Sequence, residues 1–242
     1  MRIYQPVSLA THALLALDPA ASHHVARVLR AKVGDSLIVF NGESGDFEGT
    51  ISAIDKKTVS VTLQKEILKN TESPLNLCLA QGISRGEKMD YTIQKAVELG
   101  VKKIVPLFTE RCTVKLDEDR REKRYQHWRA IMISACEQSG RNQIPELLPL
   151  QSLSQWIKNN QSDVSFVLAP AATSKLKQIP IPAQGSVSLL IGPEGGLSEN
   201  EINQASAQGF CPLNLGPRIL RTETAAVAAL TALQCFFGDL GG

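Results

Sequence analysis

Cysteine is scarce, odd in number and scattered: Cys78, Cys112, Cys136, Cys211 and Cys235 include no C-x-x-C pair. That pattern excludes a disulfide framework and reads as reduced thiols. The four histidines, His12, His23, His24 and His127, lie away from those cysteines in sequence, so no zinc-ligand spacing is present and no metal is expected. Neither G-x-G-x-x-G nor G-x-x-x-x-G-K-[ST] occurs, which disfavours a Rossmann dinucleotide site and a P-loop. No apolar run reaches the roughly 18 residues of a membrane span, and no charged-then-apolar leader opens the chain. The expectation is a cytoplasmic protein without a membrane partner. Charge of one sign is lacking too: the formal net charge is +2, so any contact with nucleic acid must rest on local basic patches.

What is present is 43% hydrophobic residues in 242, enough for one large packed domain or two small ones. The stretch from Val187 to Phe237 is the most informative. Val187–Leu190 runs into Gly192-Pro193-Glu194-Gly195-Gly196, and Leu213–Leu215 runs into Gly216-Pro217-Arg218. Short apolar runs closed by turn residues and followed by helices predict buried strands of a parallel α/β sheet, where ligands lie at the carboxyl ends of the strands. Either Gly-Pro pair alone is as readily a tight turn. Two such pairs favour a site in which glycine lets a flat ligand approach the backbone, while each proline removes an N–H that a phosphate cradle would use. Ser198 and Glu201 fit a capping box, Gly209 closes that helix, and Thr222 is placed to cap the last one.

From Met1 to about Lys69 the pattern is β-rich, with strands expected at Ile3-Tyr4, Leu14–Leu17, Ser36–Phe40, Phe47–Ala53 and Thr58–Leu63. Its one helix should start with Asp18 as N-cap and Pro19 at the first helical position, with Val25, Val28 and Leu29 facing inward and Arg27 and Arg30 outward. Asn70–Pro74 reads as a linker. Beyond it, a strand at Leu75–Ala80, a helix carrying Ile93 and Val97, and a strand at Ile104–Phe108 predict a parallel crossover. A long helix spans Arg120–Gln138. Glu137, Gly140, Arg141 and Asn142 then place an acid, a guanidinium and an amide around one turn, which as residues alone is equally a polar helix terminus. Strand Glu146–Leu150, helix Leu153–Asn159 and strand Val164–Leu168 lead to Ala169-Pro170 and an irregular segment, Thr173–Gly185.

The runs Leu189–Gly196 and Leu215–Ala225 resemble the two cofactor loops of the SPOUT class of RNA methyltransferases. More narrowly, the chain is similar to the bacterial family that methylates N3 of a uridine in 16S ribosomal RNA. His23–Arg30, Ser84–Met89, Ile93–Gly100, Glu110–Cys112 and Glu137–Asn142 extend the resemblance over nearly the whole chain. It implies an N-terminal PUA-like β-barrel over residues 1–70 that binds RNA, and a SPOUT α/β domain over 74–242 with a parallel sheet and a deep trefoil knot. It also implies a homodimer acting on 16S ribosomal RNA or the small ribosomal subunit. The cofactor would be S-adenosylmethionine, held by Leu168, Ala169, Leu190, Ile191, Gly192, Pro193, Glu194, Gly195, Gly196, Leu215, Gly216, Pro217, Ile219, Leu220, Arg221, Thr222 and Ala225.

Uridine N3 is poorly nucleophilic until its imide proton leaves, so the site needs a cation for the developing imidate; Arg221, Arg141 and Lys88 are candidates, and Glu137 could accept the proton or orient one of them. Arg2, Arg27, Arg30, Arg85, Lys88, Arg111 and Arg141 are the candidate RNA contacts. The family often has a histidine where this chain has Ala169 before Pro170, which leaves only packing at that point, and Ser139 replaces a common cysteine. The rival readings are ribose 2′-O methylation within the same class and a non-catalytic RNA-binding module of ribosome assembly.

Overall fold

The computed structural model describes residues 1–43, 45–114, 117–176, 179–182 and 184–241. Residues 177, 178 and 183 of the expected irregular segment, and Gly242 at the end of the expected second domain, lie outside the described residues. The chain divides into two compact units. One comprises 1–72 with 136–144, and the other comprises 73–135 with 145–242.

The first unit holds a five-stranded sheet of β1 (Arg2–Tyr4), β2 (Leu14–Ala16), β3 (Ser36–Phe40), β4 (Asp46–Ile54) and β5 (Val59–Ile67), in the order β1-β3-β4-β5-β2. β1 pairs parallel to β3, and the other pairs are antiparallel. Alternate residues point to one face, so Leu37, Val39, Phe47, Ile51, Val59, Val61 and Leu63 form a single core with Ile3, Leu17 and Val25. Helix α1 (Pro19–His23) begins as its sequence predicts. Asp18 accepts hydrogen bonds from the N–H groups of Ala20 (2.8 Å) and Ala21 (2.9 Å), and Pro19 occupies the first turn.

The residues after α1 depart from the expectation of a regular helix. His24–Val28 form a π-helical turn, and Arg30 takes a positive φ of 53°. The wider turn rotates the next residues away from the sheet. Val25 stays fully buried, whereas Val28 is 59% and Leu29 43% exposed, which corrects the inward placement of both. Arg27 and Arg30 are exposed on the same turn.

The second unit is built on a parallel sheet of β6 (Asn76–Gly82), β7 (Lys103–Phe108), β8 (Glu146–Leu147), β10 (Val164–Leu168), β11 (Ser186–Ile191) and β12 (Cys211–Leu213), in the order β12-β10-β11-β6-β7-β8. A further short strand, β9 (Gln151–Ser152), also pairs with β7. The inner strands β6, β7, β10 and β11 are buried along most of their length because helices cover the sheet. Helices α4 (Leu153–Asn159) and α5 (Glu199–Ala207) enclose one core with Val105, Leu107, Val167, Leu190, Trp156 and Phe210. Helices α2 (Glu87–Glu98) and α6 (Thr222–Phe237) pack on each other. The Gln234 amide donates to the Leu99 carbonyl (2.7 Å), and the Ser73 hydroxyl donates to Gln234 (2.8 Å). Helix α3 (Glu118–Ser139) passes from this unit into the first at residue 136. No helix among the described residues is long and apolar enough to cross a membrane.

Candidate functional site

A cleft of about 540 Å³ opens at the carboxyl ends of three adjacent parallel strands, β10, β11 and β12. Each strand ends in a segment that walls it: Leu168–Pro170 from the end of β10, Ile191–Leu197 from the end of β11, and Leu213–Gly216 with Arg218–Glu223 and Ala225 from the end of β12. The two Gly-Pro turns point to the segments after β11 and β12, and the resemblance adds Leu168 and Ala169; the parallel register is what brings all three to one edge. Of the expected cofactor residues, Leu190 lies instead within the core and Pro217 is not part of the wall, while the others line the cleft.

The loop after β11 is held from three sides. From the end of β6, the buried Gln81 amide donates to the Gly192 carbonyl (3.2 Å) and to the Thr222 hydroxyl (2.9 Å), and that hydroxyl donates to the same carbonyl (2.6 Å). Thr222 is therefore not the N-cap that its type suggested. Arg221 holds that position without a side-chain bond, and Thr222 spends its hydroxyl on the neighbouring loop. From the turn before α2, the Arg85 N–H donates to the Glu194 carboxylate (2.9 Å), with the Lys88 ammonium 3.4 Å away. Burial pushes the Glu194 carboxyl up, but the Arg85 N–H and the Lys88 ammonium outweigh it and hold it below the usual range. From the segment after β7, Arg111 Nη1 donates to the Gly195 carbonyl (3.0 Å).

Helix α5, which comes next in the chain, starts with the expected capping box, Ser198 Oγ accepting from Glu201 N (3.1 Å) and Glu201 Oε2 from Ser198 N (2.9 Å). Glu201 Oε1 also accepts from Glu110 N (2.8 Å), tying the cap to the segment after β7. Gln81 sets this loop but lies one residue past the strand expected at Leu75–Ala80, and nothing in its neighbours marks it. Glu201 is expected from the capping box, but its second bond, to Glu110 N, is not.

Among the expected catalytic groups, Arg221 and Lys88 line this cleft, along with Arg111 and Arg218. Glu137 and Arg141 belong to the first unit. Tyr4 N–H donates to Glu137 Oε1 (3.0 Å), and burial holds that carboxyl above its usual range against this bond and against His24 and Arg2. Arg141 is buried and pairs with Glu72, Asn142 donates to the Lys69 carbonyl (2.7 Å), and Thr71 donates to the Gly140 carbonyl (3.1 Å). Arg2 pairs with Asp46, donates to the Arg141 carbonyl (3.1 Å) and lies over the Phe40 ring. Exposed cations at the expected RNA contacts are Arg27 and Arg30 in the first unit and Arg85 and Arg111 in the second. No group of three or more His, Cys, Asp or Glu among the described residues is arranged to hold a metal ion.

Residues 71–234 match the model of the RNA methyltransferase domain, and residues 17–64 match that of the RNA methyltransferase PUA domain. The chain is similar to the ribosomal RNA small subunit methyltransferase E of Buchnera aphidicola subsp. Schizaphis graminum. The two are 42% identical over 240 residues, covering 99% of this chain and 97% of that protein. The Bacillus subtilis protein of the same name is 33% identical over 220 residues, 88% of this chain and 86% of that one. A ribosomal RNA small subunit methyltransferase E of Neisseria gonorrhoeae, solved bound to S-adenosylmethionine, superposes with a TM-score of 0.92 at 38% identity over 99% and 98% of the two chains. A Legionella pneumophila protein solved with bound S-adenosylmethionine gives a TM-score of 0.96 at 47% identity over 99% and 98%. With the matched domain covering the whole cleft and these relatives aligned over nearly their full length, the chain belongs to the small-subunit ribosomal RNA methyltransferase family of the SPOUT class.

Proposed function

We propose that the chain transfers the methyl group of S-adenosylmethionine to N3 of a uridine in 16S ribosomal RNA. The observation that carries this reading is the cleft where the carboxyl ends of three parallel strands, two Gly-Pro loops and four cations meet. Its residues fit the cofactor. A volume of about 540 Å³ suits a drug-sized ligand, and Leu168, Ile191, Leu215 and Ile219 offer apolar wall to a nucleoside. At Gly196 (φ +68°) and Gly216 (φ +121°) a Cβ would meet nothing within 4 Å, so both glycines leave open space on the cleft wall. Relatives solved with the cofactor bound support the same choice.

When bound, the cofactor supplies an electrophilic methyl group for an in-line displacement. The chain's own part is to position the uracil, exclude water and stabilise the charge left as N3 loses its proton. Arg221 stands where the loop after β12 meets the first turn of α6, and its planar fork can hold the uracil carbonyls as that charge develops. Lys88 is the second cation on the wall. Glu137 and Arg141 rank behind them because each already has a partner in the first unit.

Residues 1–70 act in this proposal as an RNA-binding PUA-like barrel, with Arg27 and Arg30 as its phosphate contacts; in the second unit, Arg85, Lys88 and Arg111 are the RNA contacts. Arg2 and Arg141, both paired internally, hold that first unit together. Residues 74–242 form the knotted methyltransferase domain of a cytoplasmic homodimer. Incubation with methyl-labelled cofactor and small subunits or 16S RNA lacking the modification should place label in the RNA. No label in either substrate would refute the activity.

A further inference from the structure

Three large apolar side chains stand in solvent within six residues of the first unit: Val28 is 59%, Leu29 43% and Val33 60% exposed. No other stretch of the described residues as short carries three. A single exposed apolar residue is ordinary, but a group of them marks a surface that something covers. The turn that presents them is fixed from beneath. Val25 is fully buried in the core of that unit, and the Ser22 hydroxyl donates to the Leu17 carbonyl (3.0 Å) while accepting from Val59 N–H (3.1 Å). Above this anchor the Leu29 N–H donates to the His24 carbonyl (2.9 Å) and the Ala31 N–H to the Val25 carbonyl (3.1 Å). These widened bonds, with the positive φ of Arg30, hold Val28 and Leu29 outward.

Charge tells what covers the surface. From Pro19 to Gly34 the chain has no carboxylate, whereas the exposed Arg27, Arg30 and Lys32 interleave with the three apolar residues. The next acid along the chain, Asp35, is engaged by Lys32 N–H (2.8 Å). An apolar protein face laid on this turn would leave its cations unmatched, while a polyanion whose bases carry apolar faces matches both kinds of residue. In duplex RNA the bases are stacked and the major groove is deep and narrow, so short side chains on a turn meet only phosphate and ribose. In a single strand the bases are free to lie on an apolar surface beside their own phosphates.

We infer that this turn binds an unpaired stretch of RNA, the faces of its bases against Val28, Leu29 and Val33 and its phosphates against Arg27, Arg30 and Lys32. The inference rests on reading residues 1–70 as an RNA-binding unit and goes beyond it in naming single strand over duplex.

Fluorescence anisotropy of the full-length protein tests this with a labelled RNA strand of about 12 nucleotides, offered alone and annealed to its complement. Val28→Ser combined with Leu29→Ser should weaken the single strand roughly 10-fold or more and change the duplex by less than about twofold. The salt slope should stay unchanged, because no phosphate contact is lost. Unchanged affinity for the single strand overturns the inference, and so does an equal loss for both forms. Leu68→Ser removes an 86% exposed side chain of the same unit outside the turn and should leave both affinities alone; a matching loss there overturns the inference as well. Sedimentation velocity separates the other occupant. A double variant of lower mass than the unmodified protein would assign the patch to a second copy of the chain and overturn the RNA contact. Should the double variant not fold, Val33→Ser, beyond the π-helical turn, should weaken the single strand about fourfold, and undiminished affinity there is equally decisive against the inference. No binding of either RNA by the unmodified protein would instead refute the RNA-binding reading of residues 1–70, and this inference with it.

Discussion

Gly82, at the end of β6, is the position where a single methyl group should disable the cleft from behind. It pairs in register with Leu107 of β7 and lies against the loop after β11. Its φ is not positive, so the backbone itself admits alanine. The space does not. A Cβ there would lie 2.5 Å from Pro193 Cδ, 2.6 Å from Pro193 N and 3.0 Å from Gly192 C, against the 3.4 Å at which ordinary contact begins. Gly82→Ala must therefore displace the Gly192-Pro193 backbone by about 0.8 Å, the shortfall at the Pro193 nitrogen. That backbone cannot yield freely, because the Gly192 carbonyl accepts from both Gln81 and Thr222.

Overpacking of this kind costs about 1–3 kcal/mol, which in a chain of this size lowers the melting temperature by roughly 2–12 °C. Displacement of a binding loop by nearly an ångström should also weaken S-adenosylmethionine by about tenfold or more and slow turnover by up to about 100-fold. Differential scanning calorimetry and cofactor titration on the same sample read both effects. A Gly82→Ala protein with unchanged melting temperature and cofactor affinity would show that the loop is not braced as described.

Arg221→Lys keeps the charge but loses the planar fork; it should bind S-adenosylmethionine nearly normally while kcat falls at least about tenfold, and a parallel collapse of affinity would make Arg221 a loop residue only. Reversing Arg27 and Arg30 together to glutamate should spare cofactor binding and flatten the salt dependence of RNA binding, whereas an unaltered slope would leave that turn facing solvent alone. Glu137 should show itself in stability. Burial holds its folded carboxyl above the usual range, so the neutral form stabilises the fold below the unfolded value, and that contribution is lost as pH rises through the folded value. Glu137→Gln, which can still accept from Tyr4 N–H, should lessen the decline in urea midpoint between about pH 4 and about pH 7; an unchanged decline would assign it to other groups.

Local sequence carried far in this chain. The strand at Ser36–Phe40, the helix at Leu153–Asn159, the strand at Val164–Leu168, the Asp18-Pro19 start and the Ser198–Glu201 box all lie where period, turn residues and capping chemistry place them. Both Gly-Pro loops reach the same cleft, because strand ends in a parallel sheet share an edge.

The failures come where a long-range contact decides. Val28 and Leu29 are apolar at helical spacing, yet a π-turn and the positive φ of Arg30 turn them outward. Thr222 has the chemistry of a cap, but a carbonyl thirty residues earlier in sequence takes its hydroxyl. Glu137–Asn142 reads equally as a functional turn or a polar helix terminus, and the bonds that occupy it run to Tyr4, Glu72 and Lys69, partners that no local window contains.

Methylation at uridine N3 stands or falls on the chemical identity of the product. Unmodified small-subunit RNA treated with the protein and isotopically labelled S-adenosylmethionine should be digested to nucleosides and resolved by mass spectrometry. The expected result is one labelled nucleoside, N3-methyluridine, with the mass increment on the base. Label on the ribose, or on a base other than uracil, would contradict that assignment.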